Sequence, residues 1–96
     1  MFKEGQLVCR TNKVLADDRA DFLSYGFNAV RLEDALNQND DARIFDIKED
    51  FIGIFLRYDP EYSEYSHVLY GEEILLVRNS YLIPYVRHVI LSGSAC

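Results

Sequence analysis

The stretch from Phe51 to Val77 constrains the fold of this chain more than any other. Phe51 to Tyr58, Tyr65 to Tyr70 and Glu73 to Val77 are short runs rich in β-branched and aromatic residues, each bounded by turn formers. That pattern predicts consecutive antiparallel strands. Tyr70 and Glu73 are separated only by Gly71-Glu72, and a two-residue connection led by glycine takes the positive φ of a type II′ hairpin turn. Ala42 to Lys48 reads as a further strand. So does Gln6 to Thr11, where Leu7, Cys9 and Thr11 alternate with Val8 and Arg10 behind Gly5. Tyr81-Leu82-Ile83 forms a short last strand that Pro84, lacking an amide donor, restricts to a sheet edge or a strand end. Short strands of this kind bury one face by curling into a closed or nearly closed sheet, for which a small barrel is the economical solution at this length. The expected fold is therefore mainly β: a small antiparallel barrel of five to six strands around Ile52, Ile54, Val68, Leu75 and Val77.

Between the first strand and the later ones the period changes. From Asp17 to Tyr25, Ala20, Phe22 and Leu23 share one helical side, Asp17 or Asp18 can cap the start, and Gly26 can end it. Phe27 to Leu32 reads as a brief strand, and Leu32, Ala35 and Leu36 as one more helical turn before the polar cluster Asn37 to Asp41. The expectation is one domain over residues 1–91, with a helical insertion after the first strand at about 14–41, and a frayed tail over 92–96. Tyr85 to Leu91 suits an edge strand or a packed helical turn equally.

The 96 residues, 49% of them hydrophobic, supply core for one domain and not for two. Ten basic against sixteen acidic residues leave a formal charge of −6, which repels phosphate backbones and argues against direct nucleic-acid binding. The longest apolar runs, Ile74 to Val77 and Val89 to Leu91, fall far short of a membrane span, and the start lacks the apolar run of an export signal. Two cysteines, one mid-strand and one at the last position, predict free thiols and a cytoplasmic setting.

The order of these signals resembles the Src-homology-3-like small β-barrel. Phe2-Lys3-Glu4-Gly5-Gln6-Leu7-Val8 looks like its opening strand, and Ile52-Gly53-Ile54-Phe55-Leu56 like the strand after its first long loop. His67 to Val77 resembles its distal hairpin, and Asn79-Ser80-Tyr81-Leu82-Ile83-Pro84 its short turn and closing strand. Small acidic barrels of this type are similar to uncharacterised proteins of tailed bacteriophages. The resemblance thus implies a viral accessory protein acting in the host cytoplasm. It does not extend to proline-peptide recognition, because the chain has no Trp.

Chemistry-bearing motifs are absent. His67 and His88 have no second ligand at a metal-binding spacing, Cys9 lies mid-strand beside Val8, and no nucleophile elbow or phosphate loop occurs. The carboxylate pairs sit at turns, where solvation explains them. No enzyme activity and no cofactor or metal are expected. The informative segment is Arg57-Tyr58-Asp59-Pro60-Glu61-Tyr62-Ser63-Glu64-Tyr65, which interleaves three tyrosines with three acids. Tyrosine gives a rigid ring with a polar tip at low entropic cost, and the acids can select a basic partner. Tyr58, Asp59, Glu61, Tyr62, Glu64 and Tyr65 are therefore candidate protein contacts; equally, Tyr58 and Tyr65 can simply end strands and cover the barrel. The leading expectation is a non-catalytic protein-binding domain. One alternative is an acidic nucleic-acid mimic, using Asp17, Asp18, Asp21, Asp40, Asp41, Asp46, Glu49 and Asp50 against a host DNA- or RNA-binding protein. Another is a virion or assembly component, for which homo-oligomers are in play.

Overall fold

The computed structural model describes residues 1–37 and 44–86. Seven strands form one antiparallel sheet: β1 (Leu7–Arg10), β2 (Asn28–Arg31), β3 (Ile44–Asp46), β4 (Ile52–Tyr58), β5 (Tyr65–Tyr70), β6 (Glu73–Arg78) and β7 (Leu82–Pro84), in the spatial order β3-β2-β6-β5-β4-β1-β7. A 3-10 turn (Ala16–Asp18) leads into helix α1 (Arg19–Tyr25), helix α2 (Leu32–Leu36) follows β2, and a second 3-10 turn (Asn79–Tyr81) precedes β7. The fold is mainly β with helical segments after the first strand, as the residue pattern implied.

The expected closure is not observed. Among the described residues the sheet is open, with β3 and β7 as its two ends, and has seven strands in place of five or six. The reason lies in β2. It pairs with β6 through Ala29 opposite Val77 and Val30 opposite Leu76, while β3 pairs with its other side. The free edge of β6 is thereby extended instead of closed. At the opposite end β7 is three residues long and ends on Pro84, which cannot donate to a further strand.

Gly71 adopts φ +63°, so the β5–β6 hairpin turns where glycine permits it. Tyr70 then pairs with Glu73 and every inward residue follows in register. Val8, Phe55, Val68, Leu75, Val77 and Ala29 face one side of the sheet and are buried there with Phe27, Ile47, Phe51, Tyr81 and Leu82. Phe27 joins the insertion to the sheet: its ring meets Tyr81 edge-on at 5.1 Å and Phe22 of α1 at 4.9 Å.

Two of the five expected core residues lie elsewhere. Val68, Leu75 and Val77 are buried, but Ile52 is 41% exposed and Ile54 is only partly covered. Side chains alternate along β4, and its inward positions are Gly53 and Phe55. Gly53 is required inside because a Cβ there would overlap Val68 Cγ1 and stand 3.1 Å from the Leu69 carbonyl oxygen. Ile54 instead belongs to an outward row, Leu7–Ile54–Leu69–Ile74, aligned across four strands.

Cys9 is fully buried and disulfide-bonded, which corrects the expected free thiol there; Cys96 lies outside the described residues. Also outside the described residues are Asp40, Asp41, His88 and most of the Tyr85–Leu91 segment. Among the described residues no helix is long and apolar enough to cross a membrane.

Candidate functional site

The site begins with an irregularity in β4. Phe55 pairs with Val68, yet Arg57 and not Leu56 stands opposite His67, so the strand carries one extra residue between Phe55 and Arg57. Such bulges re-aim side chains. Here the consequence is that Arg57 Nε donates to His67 Nδ1 at 3.3 Å. The other ring nitrogen, Nε2, lies 2.8 Å from Asp59 Oδ2. Because a guanidinium can only donate, Nδ1 must accept, which leaves the proton on Nε2 to be donated to Asp59. Both nitrogens of this buried imidazole are thus committed to protein partners, with none left to take a proton from a bound molecule. Arg57, His67 and Asp59 form a clasp.

What the clasp holds is the 59–65 loop. Asp59 Oδ1 accepts the backbone N–H groups of Glu61 at 2.9 Å and Tyr62 at 2.8 Å, an Asx-type turn that the Asp-Pro-Glu sequence favours. The Asp59 N–H donates to the Tyr65 carbonyl, and the Tyr65 N–H to the Tyr62 carbonyl, both at 2.9 Å. The hydrogen bond from His67, aided by the N–H groups of Tyr62 and Glu61, holds the Asp59 carboxyl down to about 2. Tyr62, at the tip, is 57% exposed. Between the loop and α2 lies a hollow of about 350 Å³, walled by Leu32, Ala35 and Leu36 on one side and Pro60 and Tyr62 on the other, with His67 at its base.

The six residues singled out in the sequence separate into two groups. Tyr58 packs at 4.8 Å on Phe55, and its hydroxyl accepts the Phe2 N–H at 2.9 Å. The Tyr65 hydroxyl accepts from Arg78 Nη2 at 2.9 Å, beneath the guanidinium. Asp59 is the clasp. Glu61, Tyr62 and Glu64 are exposed and available for contact. His67, which the sequence offers only as a strand residue without metal-ligand spacing, and Arg57, which merely opens the tyrosine-rich segment, gain their roles from a bulge that no local pattern announces.

A second polar cluster ties the insertion to the sheet. Arg78 Nη1 bonds Asp18 Oδ1 at 3.1 Å, Asp21 lies 3.6 Å from Nη2, and the Ser80 hydroxyl bonds the other oxygen of Asp18. Asp18 is 7% exposed, which removes it from the acidic row suggested by the sequence. Among the described residues no three His, Cys, Asp or Glu side chains gather into a group able to hold a metal ion.

No family model, curated protein or solved structure matches this chain.

Proposed function

We propose that the chain is a non-catalytic protein-binding domain that presents Tyr62 on a pre-ordered loop. The observation that carries this reading is the contrast at the loop tip. Tyr62 is 57% exposed, while the backbone beneath it is fixed by the Asp59 turn and the buried His67 clasp. An aromatic ring held out on an ordered support loses little entropy when a partner covers it. Glu61 and Glu64 flank the ring and favour a basic surface opposite.

We further propose a Src-homology-3-like relationship, which rests on the order of the segments and not on a closed barrel. Of the four segments that carry the resemblance, Phe2 to Val8 leads into β1 with only its last two residues in the strand, and the others coincide with β4, with the β5–β6 hairpin, and with the second 3-10 turn and β7. An accessory role in a tailed bacteriophage is what that resemblance implies.

The test is co-purification from the native cell with quantitative mass spectrometry, comparing the tagged protein with Tyr62→Ala and with Tyr25→Ala, a similarly exposed tyrosine on α1. A partner retained by the parent and by Tyr25→Ala but lost with Tyr62→Ala is the expected result. Equal recovery with all three overturns the reading.

A further inference from the structure

The 350 Å³ hollow beside the Tyr62 loop has a neighbour. A second hollow of about 400 Å³ lies on the other side of α2, toward the β5–β6 hairpin, and the two share Leu32 and Leu36. Leu36 is 73% exposed and stands between them, with Ile74, 38% exposed, lining the second. The charge around this apolar shoulder is one-sided. Glu33, Glu72 and Glu73 border one hollow and Asp59 and Glu61 the other, against the guanidinium groups of Arg31 and Arg57. Those two cations are already engaged. Arg31 bonds Asp34 through Nε at 2.9 Å and Nη2 at 3.1 Å and reaches Glu73 at 3.6 Å, and Arg57 is turned to His67. By contrast Glu33, Glu61 and Glu72 are exposed and form no ion pair among the described residues.

We infer that this shoulder docks a basic amphipathic helical segment of a partner protein, its apolar side chains entering the two hollows around Leu36 and its Lys or Arg residues meeting Glu33, Glu61 and Glu72. Complementary charge selects that occupant over a second copy of this acidic chain, which would set carboxylate against carboxylate. A groove of mixed apolar and acidic character is the counterpart of a helix with apolar anchors on one face and cations beside them. The inference rests on the protein-binding reading and adds the chemistry of what is bound.

The probe is a synthetic amphipathic peptide of Leu and Lys, about 18 residues long and patterned at the helical period, with a scrambled peptide of equal composition beside it. Binding is measured by fluorescence anisotropy at low and high salt. The patterned peptide is expected to bind more tightly than the scrambled one and to weaken with salt. Affinity should fall at least about tenfold with Leu36→Ser and with the pair Glu33→Gln and Glu72→Gln. It should hold with Leu23→Ser, which removes an equally exposed leucine from α1, and with Asp17→Asn plus Asp50→Asn, which removes equal charge elsewhere. Peptide binding that ignores Leu36→Ser, no preference over the scrambled sequence, or self-association of the parent that Leu36→Ser abolishes each overturns the inference. Loss of the native partner with Tyr62→Ala alone, beside such a negative peptide result, leaves the protein-binding reading standing and removes only the shoulder.

Discussion

His67 Nε2 stands 2.8 Å from Asp59 Oδ2, and this contact fixes an exposed loop onto a buried strand position. The ring donates there because its other nitrogen receives the Arg57 N–H. Long-range nitrogen–proton correlation spectra at neutral pH should therefore show the Nε2–H tautomer, with Nδ1 unprotonated. Finding the proton on Nδ1 would mean that Arg57 does not donate to the ring and that the clasp is wrongly described.

The acid side of the stability curve reports the same contact. Asp59 has its carboxyl lowered from 3.8 to about 2 by His67 and by the Tyr62 and Glu61 N–H groups. Its folded value lies below its unfolded one, so the unfolded chain binds the proton first as pH falls. The stabilisation is complete above pH 3.8 and is lost as pH drops toward 2. Thermal melts of the parent and Asp59→Asn should thus differ at neutral pH and converge across that window. A constant difference down to the acid limit would assign the effect to some other group.

Gly53 tests the inward face of β4. Gly53→Ala places a methyl group against Val68 and close to the Leu69 carbonyl oxygen and the Phe51 ring. Overpacking of this kind costs roughly 1–3 kcal/mol. Val68→Ala in the same chain should recover part of that loss, since it removes the methyl group that is overlapped. Strict additivity of the two changes in denaturant melts would show that the strain does not arise there.

Arg78 tests the attachment of the insertion. Arg78→Met leaves the Asp18 carboxylate nearly buried without its guanidinium partner, and breaking such a pair costs about 3 kcal/mol. The loss should be smaller when Asp18→Asn accompanies it, because the stranded charge is gone. Full retention of stability by Arg78→Met would place Asp18 in water.

Much of this architecture could be read from local pattern, and the reasons differ by element. β5, β6 and their turn were legible because Gly71 supplies the positive φ that a tight hairpin needs, and apolar residues on either side alternate around it. α1 ends at Gly26 for the same backbone reason, with φ +69°. The pairing of β2 with β6 was not legible: it joins Ala29 to Val77, far apart in the chain, through contacts that only the folded core selects. That pairing decided the open sheet over a closed barrel. Ile52 and Ile54 misled because an isoleucine satisfies a strand pattern on either face, and the smaller Gly53 had the inward position. Within the site, the tyrosines and acids were visible as composition, but which of them support the loop and which face outward depended on Phe2, Arg78 and His67 reaching them across the fold.

The most direct measurement of the central claim is site-specific photo-crosslinking in the native cell, with a photoreactive phenylalanine analogue at position 62 and, separately, at position 25. The expected result is a discrete protein adduct from position 62 that position 25 does not give, and that Asp59→Ala, by releasing the loop, diminishes. Identical adduct patterns from both positions, or none from 62, would contradict it.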